Sequence, residues 1–338
     1  MPDPENVEPF PHSPDVHERE TADDGFSAGW GFHMAPSVRY WIDSHTHMAE
    51  SETPRILTAV AGWHTFQWAH RLRRHVAVDG THRNFAAFQA AAETDDRFLW
   101  YCRLPWDQPD VTHLKRCKQA GALGLKLHNA TLMSGDFPRN IVHSPEWHRV
   151  YEAAGRLGMP VLWHVTQRRT DAPYTGGGPD SYWKLGWPKG VSFCNRDLLE
   201  DFLEVVAAHP ETNFIGAHQL HAGPETLDRI FNVHPNFYTD TSIGCFVADG
   251  DRMSEEDIRK WRNFVLPYHD RILFGSDIVL THENATSELL RQHFLGHIRW
   301  VKQLRLPQDA LSNIAHANFE RLTGLGPSSL FPWGALRP

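Results

Sequence analysis

No stretch of this chain approaches the roughly 18 consecutive apolar residues of a membrane-spanning helix, so none is expected to cross a bilayer. Cysteine is scarce. Cys102, Cys117, Cys194 and Cys245 are scattered without C-x-x-C spacing, which argues against a disulfide framework and reads as thiols of a reducing cytoplasm. Basic runs are missing, and the formal charge of −8 speaks against a nucleic-acid or anionic-membrane surface. The opening stretch, MPDPENVEPFPHSPDVHERETADD, lacks the apolar core of a secretory signal. No glycine-rich phosphate loop follows the first expected strand, which weakens the case for a nucleotide-binding sheet.

What is present is a chain of 338 residues, 41% of them hydrophobic, enough for one large domain or two modest ones. Residues 1–35 read as a polar extension, 36–325 as the folded body and 326–338 as a tail. Short apolar runs alternate with helical patterns. Strands are expected at Val38–Asp43, His75–Val78, Phe98–Leu104, Leu123–Leu127, Val161–Trp163, Asn213–Gly216, Phe237–Thr239 and Arg271–Gly275. Helices are expected at Thr53–Ala61, Asn84–Glu93, Val111–Gln119, Ser144–Leu157, Arg196–His209, Pro224–Val233, Ser254–Phe264, Thr286–Leu304 and Gln308–Leu322. Ser144 followed by Pro145, with Gly158 beyond the end, marks one helix sharply. This alternation predicts an α/β fold with a parallel sheet, and about eight such units fit a (β/α)8 TIM-like barrel. A long loop rich in Gly, Trp and Tyr follows the fifth strand.

The chemistry gathers at expected strand ends, which in such a barrel share one mouth. The stretch YWIDSHTHM places Asp43, His45 and His47 at alternate positions of an extended strand, hence on one face. Two imidazoles so spaced can share a metal ion, and Asp43 can anchor one of them. Lys126 and His128, His164, His218 and Asp277 end or follow later strands. Alternation turns Leu123, Leu125 and Leu127 toward helices and Lys126 into the mouth, while Arg103 is expected to face the helices. Neutral imidazoles with one carboxylate suit zinc, with manganese or iron also compatible.

The stretches IDSHTHM, GLKLHN, MPVLWHV, NFIGAHQL, DRILFGSDI and IAHANFERLTGL, in this order from residue 42 to 325, resemble the amidohydrolase superfamily. The resemblance is to its amidohydrolase-2, or aminocarboxymuconate-semialdehyde-decarboxylase-like, branch. It implies a metal held by His45, His47, His164 and Asp277, with His218 beside the metal-bound water or substrate. It places Lys126 where some members carry a carboxylated lysine bridging two metals, although one ion is expected here.

The expected activity is hydrolysis of a small cyclic or aromatic amide, ester or lactone by a metal-activated water. Asp277 would move the proton and His218 would polarise the carbonyl. The rival is non-oxidative decarboxylation of an aromatic or unsaturated acid on the same metal set, and a third reading is a ligand-binding barrel without chemistry. His128 and the loop residues Arg168, Arg169, Trp183 and Trp187 are expected to contact substrate, the loop acting as a lid. Partners would be a small molecule, neither nucleic acid nor membrane, with a homo-oligomer open.

Overall fold

A computed structural model describes residues 38–48, 72–81, 83–166, 193–242, 253–280 and 288–326. The polar extension, the helix expected at Thr53–Ala61, the long loop with Arg168, Arg169, Trp183 and Trp187, Cys245 and the tail past 326 lie outside these residues. The strands are β1 (Trp41–Met48), β2 (Leu72–Gly80), β3 (Phe98–Arg103), β4 (Gly124–His128), β5 (Val161–His164), β6 (Phe214–Gly216), β7 (Phe237–Asp240), β8 (Ile272–Leu273) and β9 (Ile278–Leu280). The main helices are α1 (Phe85–Thr94), α2 (Val111–Gln119), α3 (Pro145–Arg156), α4 (Asn195–Ala208), α5 (Pro224–Val233), α6 (Glu255–Tyr268), α7 (Glu288–Gln303), α8 (Gln308–Ser312) and α9 (Asn318–Thr323). Every strand pairing is parallel, in the order β8-β7-β6-β5-β4-β3-β2-β1-β9. The sheet's two ends are therefore consecutive in the chain, and β8 and β9 are halves of one interrupted strand. Ser44 N donates to Phe274 O at 2.9 Å and Asp277 N to His45 O at 2.8 Å across that interruption, giving a TIM-like α/β barrel.

Local chemistry sets the helix starts. The Ser144 hydroxyl accepts from Trp147 N at 3.3 Å ahead of Pro145, and Asp110 Oδ1 accepts from Thr112 N at 2.7 Å at the start of α2. Ser254 caps α6 by accepting from Asp257 N at 3.1 Å, with Glu255, Glu256 and Asp257 complementing the helix dipole. The stretch expected as one helix over Gln308–Leu322 is divided by a π turn at Asn313–Ala317. An outside demand falls on that turn, since Ile314 O accepts from Phe274 N at 2.9 Å. The expected strand Arg271–Gly275 shortens to β8 for a related reason. A Cβ added to Gly275 would lie 3.0 Å from His45 Cβ and 3.3 Å from Asp240 Cβ, so the chain here passes too close to its neighbours for a side chain.

Two apolar layers hold the barrel. Between strands and helices lie Trp100, Leu125, Leu127, Trp147, Trp163, Phe202 and Phe214, as the alternation in β4 required. Inside the ring lie Tyr40, Ile42, Val76, Val78, Tyr101, Leu162 and Ile215, closed off by Phe319 and Leu322 of α9. Tyr40 Oη donates to Glu320 Oε1 at 2.6 Å, tying α9 to the start of β1. Above this floor the parity of β1 changes. Tyr40 and Ile42 point inward, yet so do His45 and His47, because the register slips between Asp43 and Thr46. A second slip between Ala77 and Gly80 does the same for Asp79. Such bulges re-aim side chains at barrel rims. Among the described residues no helix is long and apolar enough to cross a membrane.

One buried group outside the mouth makes the fold acid-sensitive. His297 of α7 is fully buried, its Nδ1 donating to His293 O at 2.8 Å and its Nε2 having no hydrogen-bond partner among the described residues. Burial lowers its pKa to about 3. A histidine held neutral in the fold contributes stability that is whole above its unfolded pKa of about 6.5 and is lost as pH falls toward the folded value. Urea unfolding should show ~2 kcal/mol lost from this group between pH 6.5 and 5. His297→Met should flatten the acid slope by that amount; an unchanged slope would contradict the assignment.

Candidate active site

The slip in β1 sets His45 and His47 side by side, their rings 5.2 Å apart. Each is braced from behind. His45 Nδ1 donates to Asp240 Oδ2 at 2.8 Å and His47 Nδ1 to Asp79 Oδ2 at 2.9 Å. These bonds fix the ring proton on Nδ1 and turn both Nε2 lone pairs inward. They converge on one oxygen, Asp277 Oδ1, at 3.3 Å from His45 Nε2 and 3.0 Å from His47 Nε2. Asp277 is delivered by the break between β8 and β9, where its φ is +55°. The sequence reading expected Asp43 to anchor a histidine ring. Instead its carboxylate accepts from Ser276 Oγ at 2.5 Å, Ser276 N at 3.0 Å and the backbone N of His45 at 3.2 Å. It thus secures the β8–β9 break, while the ring anchors are Asp240 and Asp79. Burial pushes the Asp43 carboxyl up to about 7, against the Ser276 and His45 hydrogen bonds.

Behind this group runs a directed relay. Burial works against ionisation of Asp240, but its contacts with His45, His218 and Ser242 hold it well below the usual carboxylate range. It therefore accepts the one Ser242 hydroxyl proton, at 2.6 Å. Ser242 Oγ then has only lone pairs left for His218 Nδ1, 2.8 Å away, so that nitrogen donates. Burial keeps His218 neutral, leaving Nε2 to accept from His164 Nδ1 at 3.0 Å. Burial keeps His164 neutral as well. The relay ends on His164 Nε2, a buried lone pair with no partner among the described residues. Both nitrogens of His218 are thereby engaged, which leaves no N–H for the carbonyl-polarising role the sequence suggested.

His218 itself starts an unusual turn. His218, Gln219, Leu220 and His221 all have φ between 51° and 59°, a left-handed run that costs roughly 1–2 kcal/mol per residue. Gln219 Nε2 donating to Asp240 O at 2.5 Å and Thr166 Oγ1 donating to Leu220 O at 2.9 Å hold it in place. It stacks His221 on His218 at 5.2 Å and brings it 6.0 Å from His164. His221 was not anticipated, although the H-x-x-H spacing was visible.

Lys126 points into the mouth as expected, its Nζ 2.9 Å from His45 Nε2. Burial lowers its pKa to about 8, against the pull of Asp277, Asp240 and Asp79. His128 stacks on His164 at 4.1 Å, its Nδ1 accepting from Ala130 N at 2.9 Å. Arg103 was expected to face the helices. It faces inward instead, following Tyr101 in parity, and its Nη1 donates to Asp79 Oδ1 at 3.1 Å. A chamber of about 190 Å³ opens here, lined by Arg103, Leu104, Trp106, Lys126, His128 and Phe137.

The donor set fits a divalent cation. Two ring nitrogens and a carboxylate meet here, an arrangement that calls for positive charge at its centre. In the bare protein the Lys126 Nζ, 2.9 Å from His45 Nε2, and a proton on His47 supply it. Burial opposes protonation of His47, yet Asp79 and Asp277 on either side raise its pKa to about 9. His45, His47 and Asp277 form a group within metal-binding reach, as do His45, His218 and Asp240. Only the first turns its ligand atoms to the mouth, where His45 Nε2 also meets the Lys126 Nζ. His164, expected in the same ligand set, lies outside both groups and reaches them through His218, its Nδ1 3.0 Å from His218 Nε2.

The comparisons agree with this architecture. Residues 42–325 match the family model described as amidohydrolase. No curated relative matches the chain in sequence. Among solved structures, an Acinetobacter baumannii protein described as a probable 2-pyrone-4,6-dicarboxylic acid hydrolase, with citric acid bound, is 16% identical. The alignment covers 84% of this chain and 99% of that one, with a TM-score of 0.54. A 2,6-dihydroxybenzoate decarboxylase from Rhizobium is 15% identical, covering 85% and 99%, with a TM-score of 0.52. A Burkholderia multivorans amidohydrolase with bound HEPES is 16% identical, covering 85% and 100%, with a TM-score of 0.52. At such identity these likenesses speak for the fold. The family match over most of the chain goes further: this chain belongs to the amidohydrolase family.

Proposed function

We propose that the protein is a metal-dependent hydrolase of small cyclic or aromatic esters, lactones or amides, working at the mouth above Lys126. The observation that carries this reading is the convergence of His45 Nε2 and His47 Nε2 on Asp277 Oδ1, with both rings braced from behind. One divalent cation, zinc by the chemistry of the donors, would be held by His45, His47 and Asp277, and His164 Nε2, which has no partner among the described residues, would move in as fourth donor. When bound, it supplies Lewis acidity and makes a water more acidic near neutral pH.

The chain's own residues do the rest. Asp277 takes the proton of the attacking water and passes it to the leaving group; burial would raise its pKa, but the imidazoles of His218, His45 and His47 hold it well below the usual range and so keep it ionised. Lys126, whose Nζ lies 2.9 Å from His45 Nε2 in the bare protein, would turn its N–H groups to the developing oxyanion once that lone pair is given to the cation. His218 and Ser242 position His164 and hold its tautomer. Trp106 and Phe137 give the chamber apolar walls.

Decarboxylation is the second reading, favoured by Arg103, a cation at the same mouth suited to holding a carboxylate. Turnover in 18O-water of a panel of small lactones, esters and aromatic acids separates the two. Hydrolysis should place the label in the organic product. Carbon dioxide release with solvent deuterium on carbon and no 18O in that product would transfer the assignment to the second reading.

A further inference from the structure

Arg103 belongs to two cavities at once. On one side is the inner chamber with Lys126 and His128. On the other is an outer cleft of about 540 Å³, lined by Thr81, Arg83, Gln108, Asp110 and His113. Arg103, Leu104 and Pro105 line both and mark the waist where the two cavities adjoin. The loops that build this waist are short continuations of β2 and β3, so the scaffold fixes their separation. Arg103 is 40% exposed, and its one hydrogen bond among the described residues uses Nη1 alone. Its other N–H donors remain for a ligand, in the planar fork that matches a carboxylate. The outer cleft adds Arg83 and His113. The one carboxylate among its described lining residues, Asp110, has Oδ1 committed to Thr112 N at 2.7 Å as the cap of α2.

We infer that the substrate is a two-part acid. Its reacting end enters the inner chamber, while a separate carboxylate is gripped by Arg103 at the waist and any further polar length lies along Arg83 and His113. Arg103 is then a specificity-determining residue under either bond-breaking chemistry. The inference rests on the reading of this mouth as the reaction site. It explains why an arginine whose charge already supports Asp79 also stands at an open waist.

The probes are terephthalate and its monoamide, 4-carbamoylbenzoate, which share size and differ by one charge. Their dissociation constants would be measured by calorimetry on the full chain after incubation with zinc, with metal content assayed in each sample. Wild type should bind terephthalate at least about tenfold more tightly than the monoamide, the worth of one hydrogen bond to a charged group. Arg103→Gln should erase that preference, and Arg103→Lys, which keeps charge but not the fork, should restore only part of it. Equal binding of the two probes by wild type, or a preference that survives in Arg103→Gln, overturns the inference. Arg103 touches Asp79, so its loss can loosen His47. Arg83→Gln/His113→Gln leaves the Arg103–Asp79 contact in place and should cut the preference about threefold, and an unchanged preference in that pair overturns the role of the outer cleft. A wild type that shows the preference but binds no metal would strike the hydrolase reading and leave this inference standing.

Discussion

Asp240→Asn should weaken metal affinity by roughly 10–100-fold and lower turnover by about 10⁴-fold, the cost of a wrongly protonated histidine in a comparable carboxylate–imidazole pair. The substitution is nearly isosteric. Oδ1 can still accept from His218 N, 2.9 Å away, and from Ser242. The new amide would then face His45 Nδ1 where Oδ2 stood at 2.8 Å. Two donors cannot meet there, so the His45 proton moves to Nε2, the atom that should offer its lone pair at the mouth. Nitrogen-15 chemical shifts of His45 would report the exchange directly, and metal titration would report its consequence. An Asp240→Asn protein with wild-type affinity and an Nδ1-protonated His45 would remove Asp240 from the site.

Asp277→Asn attacks the same centre from the opposite side. Asp277 is the one carboxylate facing both Nε2 atoms, and an amide would offer them no negative charge. Metal content should fall well below one equivalent, and residual turnover should drop by roughly 10²–10⁴-fold, the contribution typical of a positioned proton acceptor. Elemental analysis and a rate assay check the two parts separately. The bare protein should change in a predictable direction too. Burial opposes protonation of His47, and Asp277 is one of two carboxylates that overcome it to reach a pKa of about 9. NMR titration of Asp277→Asn should find His47 losing its proton at lower pH; an unmoved titration would mean that Asp277 does not face it.

Much of this architecture could be read from local pattern. The helix expected at Val111–Gln119 has those bounds, and Pro224–Val233 likewise, because capping groups and apolar spacing are local signals. The inward turn of Lys126 followed from simple alternation in β4, which has no register slip. In β1 alternation put His45 and His47 on one face correctly but misled for Asp43. A bulge between Asp43 and Thr46 is set by pairing with β2, and nothing in DSHT announces it.

The braces were missed for another reason. Asp240 lies 195 residues from His45 and Asp79 lies 32 from His47, so each pairing exists only once the ring closes. Both end strands, FYTD and LRRHVAVDG, which is the same local signal that singled out Asp277. The turn at His218–His221 was illegible because no glycine or asparagine marks a run of positive φ there; Gln219, Thr166 and Asp240 impose it from outside.

The interrupted strand also has a meaning in time. Ser44 finds its partner Phe274 230 residues downstream. At a ribosomal rate of about 5–20 residues per second, the histidine-bearing edge of β1 emerges roughly 12 to 46 s before β9 exists to cover it. Throughout that interval the nascent chain carries an open strand edge, a template for pairing with neighbouring chains. Synthesis of this protein is therefore expected to lean on ribosome-associated chaperones, and slowing translation before residue 270 should raise the aggregated fraction in cells depleted of them.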